Sequence, residues 1–120
     1  MQIIIPSSVK TIGSNAFKNC TSLKKITIPS SVESIESDSF EGCEIQQIEC
    51  DPYKIKLSTI ISKSSLTHLI FLDSVSSIQQ NEFKNFPNLA EITISKSATE
   101  IGDKAFEGCS KLKEISLHWN

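Results

Sequence analysis

The sequence predicts an α/β solenoid, in which short strand-and-turn units coil one upon the next around a continuous core. The first observation behind this is repetition. IIIPSSVKTIGSNAFKNC, from Ile3, returns as ITIPSSVESIESDSFEGC, from Ile26. Pro6 recurs as Pro29, Val9 as Val32, Ile12 as Ile35, Phe17 as Phe40 and Cys20 as Cys43, each 23 residues on. Self-similarity at such a period marks stacked supersecondary units that bury their apolar faces only against one another. The second observation lies within the unit: an apolar triplet precedes a segment whose apolar residues fall three or four apart. That spacing suits a strand followed by a short helical or 3-10 turn.

The strands come first. Ile3–Ile5, Ile26–Ile28, Ile48–Cys50, Leu69–Phe71, Ile92–Ile94 and Ile115–Leu117 follow one another in steps of 23, 22, 21, 23 and 23 residues. Side chains alternate along a strand, so the first and third residue of each triplet share one side. Those two columns are Ile3, Ile26, Ile48, Leu69, Ile92, Ile115 and Ile5, Ile28, Cys50, Phe71, Ile94, Leu117. Both are apolar throughout and are assigned to the core. The triplets delimit five units, 3–25, 26–47, 48–68, 69–91 and 92–114, with a terminal strand at 115–117. Residues 1–120 are therefore read as one domain, large enough for a modest core. The chain starts part-way through a unit and carries no covering for its end faces, so it is read as an excerpt of a longer array.

After each strand the chain turns. Pro6 and Pro29 end their strands, because proline donates nothing to a ladder. Val9, Ile12, Ala16, Phe17, Cys20 and Leu23 then form the buried stripe of the expected helical segment. Asn19, Gly42, Asn85 and Gly108 share one repeat position, and Asn and Gly are the residues that tolerate the left-handed conformation ending a helix. The third unit, DPYKIKLSTIISKSSLTHL, has lost Phe-x-x-Cys and is short. Ile55, Leu57, Ile60 and Leu66 are expected to fill its core, around a tighter or less helical turn. In the fourth and fifth units Val75, Ile78, Phe83, Phe86 and Leu89 return as Ala98, Ile101, Phe106, Cys109 and Leu112.

The unit Ile-x-Ile-Pro-Ser-Ser-Val-x-x-Ile-x-x-x-Ala-Phe-x-x-Cys-x-x-Leu-x-x-Ile resembles the leucine-rich repeat of BspA-like surface proteins. It stands at Ile3–Ile26 and Ile26–Ile48, and more loosely at Leu69–Ile92 and Ile92–Ile115. The third unit departs from it, and Asp51, Leu72, Ser95 and His118 replace its proline. The resemblance implies a curved right-handed superhelix, with a short-stranded parallel sheet on one face and short helices or 3-10 turns on the other. It also implies a surface antigen, displayed on the cell surface or secreted by oral bacteria or mucosal protist parasites. Such proteins adhere to host proteins, extracellular matrix or other microbes, and the family offers no catalytic motif.

Composition narrows the partners. Net charge is −2, from 14 acidic side chains and 12 basic ones, all of them lysine. A reader of nucleic acid or phosphate relies on arginine forks and a basic face, so no nucleic-acid partner is expected. The longest apolar run is too short to span a bilayer, and no secretory leader precedes the first strand. Any export signal or anchor is expected outside these residues.

Candidate sites are few. Cys20, Cys43 and Cys109 occupy one repeat position that Phe86 fills elsewhere, which identifies a packing slot, and Cys50 lies in an inward column. Buried free thiols are expected; stacked coils about 4.8 Å apart leave a Cys20–Cys43 disulfide as the alternative. No Cys-x-x-Cys pair nucleates a metal site, and no cofactor is expected. His68 and His118 face outward as solvated side chains without a nucleophile fixed nearby. Glu91 and Glu114 share a repeat position and should face one another across adjacent strands. Asn19-Cys20-Thr21 fits the glycosylation pattern, but in a tight turn beside a buried cysteine.

The outward strand face carries the functional expectation. Its columns are Lys25, Gln47, His68, Glu91, Glu114; Ile4, Thr27, Glu49, Ile70, Thr93, Ser116; and Pro29, Asp51, Leu72, Ser95, His118. They are polar, vary between units and include Ile70 and Leu72 as exposed apolar residues. A regular sheet lined by changing side chains is how repeat proteins present a broad binding surface. The chain is read as a non-enzymatic protein-binding domain, with Lys25, Thr27, Gln47, Glu49, His68, Ile70, Leu72, Glu91, Thr93, Glu114 and Ser116 as its contact set. An intracellular scaffold or a structural spacer of the same fold is the alternative. The open ends, the first strand and Leu117–Trp119, expose backbone edges and apolar surface and imply self-association.

Overall fold

The computed structural model describes residues 2–62, 64–72, 75–78, 83, 86–94, 98, 100–101, 106 and 109–117. In chain order its elements are β1 (Gln2–Ile4), β2 (Thr11–Ile12), β3 (Lys25–Thr27), β4 (Ser34–Ile35), β5 (Gln47–Cys50) and α1 (Leu57–Ile60). There follow β6 (His68–Phe71), β7 (Ser77–Ile78), β8 (Glu91–Ile94), β9 (Glu100–Ile101) and β10 (Glu114–Leu117). The six longer triplet-bearing strands form one parallel sheet in the order β1-β3-β5-β6-β8-β10. β2 pairs with β4, and β7 with β9, in two small parallel ladders behind it.

The register follows the repeat. Ile3 lies opposite Ile26, Ile26 opposite Ile48, Ile48 opposite Leu69, Leu69 opposite Ile92, and Ile92 opposite Ile115. A slip of one residue would turn every apolar side chain to the outside, so the alternation itself enforces this pairing. Ile48, Cys50, Leu69 and Phe71 are fully buried, and Ile26, Ile28, Ile92 and Ile94 nearly so. The ends of the columns differ from expectation. Ile3 and Ile5 are half-buried, and Ile115 is 50% exposed, because a coil's face is covered only by the next coil.

The expected helical face does not form among the described residues. After each strand the chain makes single hydrogen-bonded turns instead, such as Val9 N to Pro6 O, Ala16 N to Gly13 O and Cys20 N to Phe17 O. Two causes interrupt any helix. Asn15 (φ 62°) and Asn19 (φ 61°) take left-handed conformations that a right-handed turn cannot propagate through. The intervening amides are also used between coils: Phe17 N donates to Ser39 O at 2.8 Å, Asn19 N to Glu41 O at 2.7 Å, and Glu36 N to Ile12 O at 3.1 Å. Three-and-four spacing therefore marks corners of a coil rather than one face of a helix. Ala16 is exposed, and Val9, Phe17 and Cys20 are half-buried, whereas Ile12 and Leu23 are buried as expected.

The third unit reverses its expectation too, since its turn is where helix α1 stands. Asp51 Oδ1, replacing the strand-ending proline, accepts the amides of Tyr53 (3.1 Å) and Lys54 (3.2 Å) and tightens the chain. Lys56, at φ 56°, then leads into Leu57–Ile60. Ile55, Leu57, Ile60 and Leu66 are buried as the sequence reading requires, joined by Ile61. Tyr53 was missed: in the unit without the phenylalanine it packs 6.1 Å from Phe83 and 6.3 Å from Phe71, ring centre to ring centre.

On either side of that unit the aromatic row is regular. Phe17 and Phe40 stack at 5.2 Å with 13° between planes, and Phe83 and Phe106 at 5.8 Å with 19°. Phe40 and Phe83 are buried; Phe17 and Phe106 are half-buried at the two ends of the stack. Val75, Ile78, Phe86 and Leu89 complete the core of the fourth unit, and Cys109 that of the fifth. Asn85, Ser95, Gly108, His118 and Trp119, with the side chains of Ile101 and Leu117, lie outside what the structure describes.

The Asn/Gly position behaves as its chemistry demands. Gly42 has φ 82°, and a Cβ placed there would run into the Asn19 side chain of the coil before it. Gly42→Ala should therefore lower unfolding free energy by at least about 1–2 kcal/mol. In the double variant Asn19→Gly/Gly42→Ala part of that loss should return, because the clash is gone and glycine accepts φ 61°. Urea unfolding of the wild type, the two single variants and the double variant measures the coupling; strict additivity would contradict the contact.

Candidate functional site

The outer face of the sheet is built from residues that the pleat turns away from the core. On the central strands the alternation of buried and half-buried residues is regular: Gln47, Glu49, His68 and Ile70 lie between Ile48, Cys50, Leu69 and Phe71. Lys25, Thr27, Glu91 and Glu114 are exposed, while Thr93 and Ser116 are half-buried. Ile70 and Leu72 are half-buried rather than exposed. Among the described residues the exposed large apolar side chains are Ile4 and Ile115, at the two edge strands.

The register brings the first column together in the order Gln2, Lys25, Gln47, His68, Glu91, Glu114. Basic and neutral groups thus stand at one side of the face and two carboxylates at the other. The second column runs Ile4, Thr27, Glu49, Ile70, Thr93, Ser116. Thr27 Oγ1 donates to Glu49 Oε1 at 3.4 Å. Thr93 Oγ1 lies 3.0 Å from His68 Nε2 and 3.3 Å from Ser116 Oγ.

His68 corrects the expectation of a solvated side chain. Its imidazole is 23% exposed, with Nδ1 3.7 Å from Glu91 Oε2 and Nε2 on Thr93. The ring therefore ties β6 to β8 across both columns. This diagonal link was invisible in the sequence until strand register was known: Glu91 shares the repeat position of His68, but Thr93 belongs to the neighbouring column. Glu91 and Glu114 do lie opposite one another, as expected.

The cysteines are free thiols, so the Cys20–Cys43 disulfide is absent. Their slot is more than packing. Cys43 Sγ donates to Phe17 O at 2.9 Å, and Cys109 Sγ repeats the bond to Phe83 O at 3.1 Å. Each thiol thus reaches the phenylalanine carbonyl of the coil before it. Burial pushes the Cys43, Cys50 and Cys109 thiols up, with the Asp51 and Glu49 carboxylates adding to the effect at Cys50. Among the described residues no group of three or more His, Cys, Asp and Glu side chains is placed to hold a metal ion. No described helix is long and apolar enough to cross a membrane.

Parallel strands in unbroken register, a core of repeated apolar columns and a polar, variable outer face describe a solenoid of the leucine-rich-repeat class. The chain belongs to the BspA type leucine rich repeat family, whose model matches residues 1–113 in 6 copies. Among solved structures it is similar to the crystal structure of the T. pallidum leucine rich repeat protein TpLRR, with 23% identity and a TM-score of 0.45, over 96% of this chain and 68% of that one. No curated protein matches the chain.

The thiols offer a direct check. With the folded pKa above the unfolded value of about 8.5, stability is full below that pH and is lost as pH rises through the folded value. At pH 8 a thiol-specific disulfide reagent should modify half-exposed Cys20 promptly, and Cys43, Cys50 and Cys109 only as fast as the protein unfolds. All four should react at once in denaturant. Prompt native labelling of Cys50 would contradict this core.

Proposed function

We propose that this chain is a non-enzymatic protein-binding domain that engages a partner protein through the outer face of its sheet. The contact set is Lys25, Thr27, Gln47, Glu49, His68, Ile70, Leu72, Glu91, Thr93, Glu114 and Ser116, presented by units 3–25 to 92–114 as one domain. One observation carries the reading: six strands in continuous parallel register hold these changing side chains at fixed intervals of about 4.8 Å on a rigid support. A surface whose side chains are ordered before contact loses less conformational entropy when it binds. Half-buried Ile70 and Leu72 supply the apolar centre, and Lys25, Glu91 and Glu114 a charged rim. Family membership supports display at a cell surface or secretion, with adhesion to host or matrix proteins as the role.

The immobilised domain should retain proteins from solubilised host-cell surface and matrix extract. Ile70→Ala and His68→Ala should each reduce retention of the major captured species by about tenfold or more. Glu33→Ala, on an exposed turn away from the sheet, should leave it unchanged. Equal retention by all variants, with melting temperatures matched, would remove the sheet face from consideration.

A further inference from the structure

The charge on the outer face of the sheet is not a fair sample of the chain. Among the contact residues the charged ones are Lys25, Glu49, Glu91 and Glu114, one cation against three carboxylates. The remaining residues hold 11 lysines and 11 acidic side chains out of the 12 and 14 in the chain, so this face bears the whole net charge of −2. Negative charge gathers along β8. That strand is flanked on both sides, so the surroundings of Glu91 are set within these coils: His68 lies opposite it on β6 and Glu114 on β10. Two carboxylates directly opposite one another on one face repel. Among the described residues no lysine offsets them. The lysine ion pairs are Lys18 with Glu41 and Lys24 with Glu44, and Lys25 stands three strand spacings from Glu91, about 14 Å.

Hydrogen-bond polarity points to the same kind of ligand. His68 Nδ1 faces Glu91 Oε2 at 3.7 Å, and in the neutral ring a proton on that nitrogen leaves Nε2 to accept from the Thr93 hydroxyl at 3.0 Å. Thr93 Oγ1 in turn accepts from the Ser116 hydroxyl at 3.3 Å. Both hydroxyl hydrogens are thereby committed along the row, and what faces outward is carboxylate oxygen and hydroxyl lone pairs. Such a row takes donors. Among the described residues no three His, Cys, Asp and Glu side chains are placed to hold a metal ion, so the cation that suits is one with several N–H groups. A guanidinium is planar, always charged and carries five of them. Half-buried Ile70 lies opposite Thr93, with Leu72 further along the chain, so an apolar surface adjoins the acceptors. Resting on the reading of the outer face as a binding surface, we propose that its partner is a protein segment that sets an arginine against Glu91 and Glu114 and an apolar side chain against Ile70 and Leu72. Complementary charge of this kind selects among partners and speeds encounter.

Titration with short capped peptides, followed by the amide resonances of the labelled protein, tests this. The probe repeats Ser-Arg-Leu, and its counterparts carry glutamine or glutamate in place of arginine. The arginine peptide should shift the amides around Ile70, Glu91, Thr93 and Glu114, and high salt should weaken it. Glu91→Gln should lower its affinity about threefold to fivefold, and Glu91→Gln/Glu114→Gln about tenfold or more, with circular dichroism spectra unchanged. Glu33→Gln, which removes the same charge from an exposed turn, should have no effect. A glutamine or glutamate peptide that binds the same amides as tightly, an arginine peptide that shifts none of them, or a double variant that binds like the wild type would each overturn the proposal. Host-extract retention that is lost in Ile70→Ala but kept in Glu91→Gln/Glu114→Gln would overturn it too, while leaving the sheet face as a binding surface.

Discussion

Backbone groups of each coil are satisfied by the coil beside it, and the rest of the structure depends on that constraint. Within a unit of some two dozen residues there is too little regular structure to pair its own amides. The sheet strands, the small ladders behind them and the turn amides of Phe17, Asn19, Glu33 and Glu36 all bond across the interface between coils. A buried amide left unpaired costs about as much as a lost hydrogen bond, so the register between coils is held at every corner at once. Apolar columns, aromatic row and outer face inherit that register.

Side chains reinforce the same interface at points where a backbone carbonyl would otherwise be short of a donor. Ser39, fully buried, donates to Gly13 O at 2.9 Å, and Ser65 Oγ reaches Ile45 O at 2.9 Å. Asn88 Nδ2 reaches Ser64 O at 2.7 Å, and the thiols of Cys43 and Cys109 act likewise. Each spans about one repeat. Small polar residues at inward-leaning corners thus bind coil to coil without adding volume to a narrow core. Free energy gained this way is modest per bond, about 0.5–1.5 kcal/mol, but an unsatisfied partner would cost more.

The sheet face is what remains once alternate residues are committed to the core, and it is free to vary because nothing inside depends on it. Core positions behave the opposite way: they repeat in type from coil to coil, because each must fit the coil it packs against.

Much of this was legible in the chain itself. Period and alternation located the six strands and the central part of the two inward columns, because each depends only on spacing and polarity. Left-handed Asn19 and Gly42 were also legible, since few residues accept that conformation. What the tertiary structure decided was everything that rests on contact between coils. Spacing of three and four describes a helix and the corners of a coil equally well, and only the amides donated to the neighbouring coil chose the corners. Tyr53 in place of the missing phenylalanine, Asp51 capping the third turn, and His68 bonded to Thr93 all depend on residues that differ from their counterparts in other coils. A repeat predicts what is the same from coil to coil; where one coil differs, the outcome is set by the neighbours it packs against.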